Sequence, residues 1–375
     1  MKRFGLGFLF LCSVSLFAAS KDYNVSFRQI DAQKSQLTYM LSDFDIQTRM
    51  VNDRLFTEIL FHSFNHTSQK GFAQLPVITK AVQLSPDKNI DLIIKNVEYE
   101  DYTLDDPLLP SPGVKYRTEK NSNDYIKFDR SSLTDNWYPP EIAAASSPYI
   151  VKDIRGTNVT LHPFRYNAAK KILRVYTRIV IEMDENNSTP VNPLISHGSP
   201  ISDELRSVYQ SAFMNFKSTN ALSKYSQLTM QQLGDILVIA TPRDETAIDS
   251  FINWKKEKGY HVYKEIVPAG TNVTDLIKQK YNENNKILYV QLIGDWQDIK
   301  GYADSSSGAP LDPKLGCVVG DDDYPDICIG RFPANSADDV TAQVSKIIQY
   351  EKSMTEQDTW LSTATGIASD EGSGD

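Results

Sequence analysis

Residues 286–299 read KILYVQLIGDWQDI, and this stretch decides the fold of the C-terminal part of the chain. Residues 287–293 are apolar and rich in β-branched and aromatic side chains, which predicts a buried parallel strand. Gly294 ends this run, and Asp295 follows it. Ligands of open α/β sheets bind at the carboxyl ends of the strands, so the predicted strand places an acid at a candidate site.

A turn rich in acidic residues follows within residues 318–333, VVGDDDYPDICIGRFP. Four aspartates lie within six residues: Asp321, Asp322, Asp323 and Asp326. Close carboxylates repel one another unless a cation or an arginine lies among them. Calcium binds carboxylate and carbonyl oxygens in irregular loops, so the turn is either a solvated acidic loop or a cation site. The spacing does not match an EF-hand.

Predicted strands and helices alternate around these two stretches. The strands cover residues 236–240, 260–266 and 287–293, and the helices cover residues 244–258, 272–284 and 336–355. Gly259 follows the first of these helices in the position of a C-cap. Alternating βαβ units predict an α/β fold with a mostly parallel sheet and helices on both faces. Residues 363–368 begin another predicted strand.

The N-terminal part has a different pattern. Short runs such as NIDLIIKNV (89–97) and ILRVYTRIVIEM (172–183) alternate apolar and polar positions, and clusters of turn residues separate them. Repeated short strands of this kind predict an all-β sandwich. The pairs Arg155-Gly156 and Tyr166-Asn167 are typical of hairpin turns or bends within it.

Length, charge and cysteine content limit the class of protein. The chain has 375 residues, 41% of them hydrophobic, and a formal net charge of −9. This length suffices for two domains, and the absence of a basic run argues against nucleic acid as a partner. Cys12, Cys317 and Cys328 are too few for a disulfide scaffold; the last two either pair or remain free thiols.

A signal peptide is predicted over residues 1–20. Lys2 and Arg3 precede an apolar run at residues 4–17, and small residues follow it at 18–20. This arrangement predicts secretion to the extracellular space or the cell surface, with Lys21 as the mature N-terminus. No other stretch approaches the roughly 20 apolar residues of a membrane-spanning helix, so no transmembrane segment is predicted.

Three stretches of the C-terminal part resemble the gingipain family of secreted cysteine peptidases. They are LIGDWQDI (292–299), GCVVGDDDYPDICIGRFPANSADD (316–339) and IQYEKSMTEQDTWL (348–361). Residues 137–181 resemble the N-terminal prosegment of the same family, so the two resemblances follow the family's order. The resemblance implies a β-sandwich prosegment followed by a caspase-like (flavodoxin-like) subdomain with a mostly parallel sheet.

The resemblance divides the chain into five segments. They are a signal peptide (1–20), a β-sandwich gingipain-type propeptide (21–216), a connector where maturation cleaves (217–233), caspase-like subdomain A of the peptidase domain (234–362) and the start of the catalytic subdomain (363–375). The last residues read as the middle of a loop. We therefore expect the chain to be a truncated part of a longer precursor.

The resemblance also implies a structural calcium site at the acid after the strand and the turn that follows it. The implied ligands are Asp295, the Val319 carbonyl, Asp322, Tyr324 through its carbonyl, and Asp326. The clustering of acids agrees with this role but does not establish it.

A second implied site lies in the prosegment. PSPGVKYRTEKN, residues 110–121, resembles the family's inhibitory loop, and Arg117 takes the position that fills the specificity pocket in arginine-specific members. A guanidinium matches a pocket carboxylate through paired hydrogen bonds. The prosegment is thus expected to bind the chain's own peptidase domain. The alternative is a solvated loop arginine, with Lys115 and Arg130 as rivals.

The implied activity is that of a cysteine-type endopeptidase acting on protein and peptide substrates after Arg or Lys. The family's catalytic His and Cys have no matching position here, so no catalytic residue is assigned and the fragment is expected to be inactive. Three alternatives remain open. They are a non-enzymatic prosegment-type inhibitor or chaperone, a sortase-like relative of the same secretion pathway, and a calcium-dependent adhesive module.

Overall fold

The structure is a computed structural model, and it describes residues 22–61, 65–113, 127–194, 201–216, 233–353, 355 and 358–363. The predicted signal peptide, Arg117 and most of the predicted connector lie outside these ranges. Within them, no helix combines the length and the apolar composition needed to cross a membrane.

The order of elements differs between the two halves of the chain. The N-terminal elements are β1 (Tyr23–Gln29), β2 (Lys34–Leu41), β3 (Asp45–Val51), β4 (Arg54–Leu60), β5 (Asn65–His66), β6 (Pro76–Gln83), β7 (Asn89–Thr103), β8 (Trp137–Tyr138), β9 (Ala143–Ala145), β10 (Tyr149–Val151), β11 (Ile154–Leu161), β12 (Phe164–Asn167), β13 (Ile172–Asn186) and α1 (Asp203–Ala212). The C-terminal elements are β14 (Asp235–Ala240), α2 (Asp249–Glu257), β15 (His261–Ile266), β16 (Thr271–Asn272), α3 (Thr274–Glu283), β17 (Ile287–Ile293), β18 (Ile299–Lys300), β19 (Cys328–Phe332) and α4 (Ala337–Ser353). Short 3₁₀ helices cover Arg130–Ser132, Asp312–Gly316 and Thr359–Ser362.

Two antiparallel sheets pack against each other in the N-terminal part. One has the order β1-β2-β13-β12-β8 with β7 beside β13, and the other has the order β10-β11-β6-β5 with β9 beside β11. Tyr39, Ile78, Val159 and Ile181, which come from both sheets, belong to one buried cluster. Alternating side chains allow each strand to bury one face in this shared core. The prediction that this part is built from β-strands is confirmed.

The two predicted bends lie within strands instead. Arg155 and Gly156 belong to β11, and Tyr166 and Asn167 end β12. A β-carbon on Gly156 would come within 2.4 Å of the Phe213 ring. Gly156 therefore allows close packing against the C-terminal end of α1 and does not mark a change of chain direction.

A parallel sheet forms the centre of the C-terminal part. Its strand order is β15-β14-β17-β19, and each neighbouring pair is parallel. All six residues of β14 are buried. Side chains of α2 and α4 pack in the cluster on one face, and those of α3 pack in the cluster on the other. The prediction that this part contains a parallel sheet is confirmed.

The first helix of this part starts later than predicted. The pattern predicted it over residues 244–258, whereas α2 begins at Asp249. Asp244 is fully buried, accepts hydrogen bonds from Arg243 at 2.9 Å, and is 3.2 Å from the Thr241 hydroxyl. An aspartate bonded to preceding residues favours a turn over helix continuation. Gly259, with φ of 97°, follows the end of the helix.

Candidate cation site and the carboxyl edge of the parallel sheet

The carboxyl end of β17 is a tight turn that only glycine fits. Gly294 has φ of 110°, and a β-carbon there would lie 2.8 Å from Cβ of Asp298. Asp295 follows, and its Oδ1 accepts a hydrogen bond from the Trp296 amide at 2.7 Å. Asp298 Oδ2 accepts one from the Asp295 amide at 3.2 Å. The predicted acid is therefore fixed at the end of the strand by local hydrogen bonds.

Arg331, on β19, holds this turn from the neighbouring strand. It donates to the carbonyls of Gly294 at 3.0 Å, Asp295 at 3.3 Å and Ile299 at 3.1 Å. Its Nε and Nη2 bind the two carboxylate oxygens of Asp312 at 2.7 and 2.9 Å. A planar guanidinium suits this two-pronged contact. Arg331 thus ties the loop after β17 to the 3₁₀ helix at Asp312–Gly316.

Arg243 joins the ends of three strands. It binds both oxygens of Asp244 at 2.9 Å, Asp298 Oδ2 at 2.9 Å and the Ala334 carbonyl at 3.2 Å. Hydrogen bonds to Asp244 and, less strongly, Asp298 raise the pKa of Arg243. Asp244 follows β14, Asp298 follows β17 and Ala334 follows β19, so the network stabilises the carboxyl edge of the sheet.

The acidic turn is shaped by its own carboxylates. Asp326 Oδ2 accepts hydrogen bonds from the amides of Val318 at 3.0 Å and Val319 at 2.9 Å. Asp322 Oδ1 accepts one from the Tyr324 amide at 2.9 Å. A carboxylate has two oxygens, so these bonds are compatible with a cation bound at the same groups.

A lysine contributes positive charge to the same turn. Lys314 Nζ lies 2.8 Å from Asp323 Oδ1, and this hydrogen bond raises the pKa of Lys314. The pair is solvent-exposed, so it contributes little to stability. Part of the repulsion among the carboxylates is therefore relieved by a side chain of the protein itself.

Asp295 and the acidic turn lie at different levels of the sheet. β17 and β19 run parallel, with Ile293 beside Phe332. Asp295 therefore follows the carboxyl end of this pair, whereas Asp326 precedes the amino end of β19. The strand between these levels has five residues. Because a strand rises roughly 3.3 Å per residue, the length of β19 separates Asp295 from Asp326 along the strand direction.

Four of the five predicted calcium ligands thus share one turn, and Asp295 lies apart from them. Among the described residues, no group of three or more His, Cys, Asp or Glu side chains is arranged to hold a metal ion. The turn alone offers Asp322, Asp326 and two backbone carbonyls, which is a donor set of the kind calcium accepts. The ligand set stays a prediction.

The two described cysteines lack the surroundings of a catalytic thiol. Both are free. Burial and then the nearby carboxylate of Asp326 raise the pKa of the Cys317 thiol, and burial raises that of Cys328. A nucleophilic cysteine needs a lowered pKa and a nearby base. These thiols have the opposite electrostatic setting.

The described histidines also lack the surroundings of a catalytic base. His162 Nδ1 lies 2.7 Å from the Glu141 carbonyl, and burial lowers its pKa. His66 is in β5, where burial likewise lowers its pKa, and His261 begins β15. The charges that shift the pKa of the two thiols belong to aspartate and lysine side chains.

Sequence reasoning missed the residues that organise the edge of the sheet. Arg243, Asp298, Asp312 and Arg331 form its charged contacts, and Lys314 contacts the acidic turn. A signal was present, because clustered acids require a cation or an arginine nearby. Arg331 stands five residues after Asp326 in the printed sequence, but only the fold shows that it binds Asp312.

Two known protein families match this chain, and together the two matches cover most of it. The sequence profile of the C25 propeptide matches residues 20–222, and that of peptidase family C25 matches residues 229–375. The chain belongs to peptidase family C25. The C25 propeptide match thus precedes the C25 peptidase match, so the chain is a gingipain-like precursor.

Curated relatives of this C25 chain come from Porphyromonas gingivalis. Gingipain R2 is 31% identical over 315 residues, which are 81% of this chain and 41% of the relative. Gingipain R1 is 30% identical over the same share of this chain, or 31% of the relative. The C25 chain therefore spans less than half the length of these relatives. A solved complex of P. gingivalis RgpB pro- and mature domains is 26% identical, with a TM-score of 0.45, and the match covers 52% of this chain and 98% of that chain.

Proposed function

We propose that this chain is the N-terminal part of a secreted gingipain-like cysteine endopeptidase zymogen. The observation that carries the proposal is the order of the two family matches, propeptide over residues 20–222 and peptidase over residues 229–375. In the complete enzyme a cysteine thiolate attacks the scissile carbonyl, and a histidine transfers the proton to the leaving amine. The substrates are proteins and peptides cleaved after Arg or Lys.

The described residues serve this enzyme as scaffold and prosegment. The parallel sheet, whose carboxyl edge is held by Arg243 and Arg331, corresponds to the first caspase-like subdomain. The raised pKa values of the Cys317 and Cys328 thiols agree with a nucleophile located elsewhere in the enzyme. The two-sheet N-terminal part acts as the prosegment that keeps the peptidase domain latent, and the leader at residues 1–20 directs secretion.

Arg117 provides the test of this function. The 375-residue chain is expected to inhibit an arginine-specific gingipain, and Arg117→Ala is expected to weaken that inhibition. Removing one partner of a buried charge pair costs about 2–5 kcal/mol, which corresponds to roughly 30-fold or more in the inhibition constant. The inhibition constant of the Arg117→Lys variant should fall between those of the unmodified chain and the Arg117→Ala variant, because lysine keeps the charge and loses the two-pronged geometry.

Arg130 supplies the matched control for this experiment. It is an exposed arginine in a 3₁₀ helix outside the inhibitory-loop match, so Arg130→Ala should leave the inhibition constant unchanged. Failure of the unmodified chain to inhibit would contradict the zymogen proposal. Equal inhibition by the unmodified chain and the Arg117→Ala variant would contradict only the assignment of the loop.

The calcium site is a separate proposal that concerns the acidic turn. Asp322→Ala is expected to reduce the rise in melting temperature that calcium produces, because a bound ion stabilises only the folded form. At a calcium concentration about 100-fold above Kd, this stabilisation is about 2.7 kcal/mol. Without calcium, the variant should lose only the hydrogen bond to the Tyr324 amide, worth about 1 kcal/mol.

Two further variants sharpen the calcium experiment. Asp321→Ala removes an exposed acid of the same turn that is not a predicted ligand, so the calcium-induced shift should persist. Asp295→Ala asks whether the acid at the carboxyl edge takes part, and an unchanged shift would remove it from the ligand set. Equal destabilisation by Asp322→Ala with calcium and with chelator would overturn the metal role.

A further inference from the structure

The hairpin of β3 and β4 exposes apolar side chains near its turn. Met50 is 68% exposed and lies opposite Leu55, which is 45% exposed. Ile46 is 40% exposed and lies four residues before Met50, so it shares the same face of the strand. Neighbouring exposed apolar side chains mark contact surfaces for a partner. These three residues are called the hairpin patch below.

The hairpin has a tight turn and one open edge. Asn52 and Asp53 form its two-residue turn with φ of 49° and 57°, as in the turns that match the twist of paired strands. Within the described residues, β3 pairs with β4 alone. The first six residues of Asp45–Val51 are exposed, and the seventh is half-buried. An edge strand of this kind can accept contacts from another polypeptide.

The opposite edge of the hairpin holds the chain that leads into the predicted inhibitory segment. Thr57, on β4, donates from its amide to the Pro107 carbonyl at 2.8 Å, and its carbonyl accepts from the Leu109 amide at 2.9 Å. Its hydroxyl donates to the Asp106 carbonyl at 2.9 Å. These residues come immediately before residues 110–121. β4 therefore fixes the entry to that segment.

The chain that returns from the segment is fixed to the same base. The Phe128 ring lies 6.1 Å from the ring of Phe56 on β4. Gly71 joins both ends, because its amide donates to the Ser111 carbonyl at 2.9 Å and its carbonyl accepts from the Asp129 amide at 3.1 Å. Gly71 has φ of 79°, and a β-carbon there would lie 2.5 Å from the Asp129 nitrogen. Entry and exit therefore meet beside the hairpin.

Chain geometry limits how far Arg117 can stand from this base. Arg117 comes four residues after Gly113, the last described residue before the segment, so the two lie within about 14 Å of each other. A standard protein interface covers about 800 Å² on each partner, which is a patch roughly 30 Å across. A protein that binds Arg117 through an interface of this size therefore also meets the base and the hairpin.

We propose that the hairpin patch is a second docking surface of the prosegment and that it contacts the peptidase domain beside the specificity pocket, a role that rests on the inhibitory function proposed above. Arg117 supplies the charged contact, and Met50, Leu55 and Ile46 supply an apolar one. Burying these apolar side chains adds affinity, and a second contact fixes the orientation of the prosegment on its partner.

The test measures the inhibition constant of the full chain against an arginine-specific gingipain. Met50→Asp and Leu55→Asp each place a carboxylate in the apolar contact, so each should raise the constant by roughly tenfold or more. Both residues are exposed, and circular dichroism of each variant checks that it folds like the unmodified chain. Combined with Arg117→Ala, the effect of Met50→Asp should multiply, because the two contacts are separate.

The matched control is Ile30→Asp, which adds the same charge at the other end of the sheet. Ile30 is 45% exposed, as Leu55 is, and lies in the turn between β1 and β2. That turn bonds to Glu185 near the end of β13, whereas Thr103, which leads to the base, pairs with the start of β13. Ile30→Asp should leave the inhibition constant unchanged.

The outcomes separate this surface from the inhibitory function. If the unmodified chain inhibits and Met50→Asp and Leu55→Asp inhibit as well as Ile30→Asp, the hairpin patch is wrong and the zymogen function stands. If the unmodified chain does not inhibit, both proposals fail. A dimer of the unmodified chain in sedimentation that Met50→Asp dissociates would assign the patch to a second copy and overturn its contact with the peptidase.

Hydrogen exchange gives a readout that does not depend on inhibition. Binding of the gingipain should slow exchange of the amides in Asp45–Val51 by tenfold or more, because a partner covers this edge. The amides of β1, which is also an edge strand, serve as the control and should exchange as before. Unchanged exchange in β3 within an inhibited complex would contradict the proposed surface.

Discussion

Replacing Arg155 by Met is expected to destabilise the N-terminal part by roughly 4 kcal/mol or more, which is exceptional for a single substitution. Arg155 is 1% exposed, the least accessible large charged side chain in the described core. It donates to the carbonyls of Asn192 at 2.7 Å, Val191 at 2.7 Å and Ser85 at 3.0 Å, and also to the Lys88 carbonyl.

These partners explain the size of the effect. They belong to two loops, one between β6 and β7 and one after β13, and methionine would leave four of their carbonyls without the donors that Arg155 supplies. Each unsatisfied buried acceptor costs about 1–3 kcal/mol. Arg155 thus holds both loops against the end of the sandwich.

The matched control is Arg178→Met, also on a central strand. Arg178 pairs with Glu98 at 3.2 Å, but the two side chains are 39% and 57% exposed. Its loss should cost less than about 1 kcal/mol. Urea unfolding followed by circular dichroism measures both variants. A loss below 1 kcal/mol in Arg155→Met would show that water or other donors replace the guanidinium.

Replacing Arg331 by Met is expected to destabilise the parallel-sheet part by about 3 kcal/mol. Breaking a buried ion pair costs about 3–5 kcal/mol, and partial exposure of this pair places the effect at the lower end. Arg331 is 12% exposed and Asp312 is 25% exposed. The variant also leaves the carbonyls of Gly294, Asp295 and Ile299 without this donor.

A double-substitution cycle with Asp312→Asn separates these contributions. If the carboxylate is the main partner, the double variant should lose clearly less stability than the two single variants added together. Lys314→Met, in the exposed pair with Asp323, is the control and should leave the stability nearly unchanged. Tryptophan fluorescence during urea unfolding reports the transition, because Trp296 lies in the affected loop. Additive losses would show that the carbonyl contacts act without the ion pair.

The order and type of the elements could be predicted because they depend on local patterns. The run at 287–293 is apolar at nearly every position, and it forms β17 as predicted. The alternating run at 172–183 lies within β13. An alternating pattern and an unbroken apolar run are both properties of neighbouring residues, so they can be recognised without knowledge of the fold.

Helix boundaries and turns were less predictable because distant contacts decide them. Gly156 looked like a bend residue, yet it lies within β11 because Phe213 packs against it. Asp244 looked like the start of a helix, yet it is buried and bonded to Arg243 and Thr241. In both cases a contact of one side chain outweighs the local preference.

The charged residues of the candidate site show the same division. Composition located the acids of the turn and the acid after β17, since both stand out in the printed sequence. Their relation depends on the parallel register of β17 and β19, which places Asp295 and Asp326 at opposite ends of the strand pair. The sequence by itself determined the elements, their order and the family. The tertiary structure decided which charges meet, because strand register and burial, rather than spacing along the chain, set the distances between them.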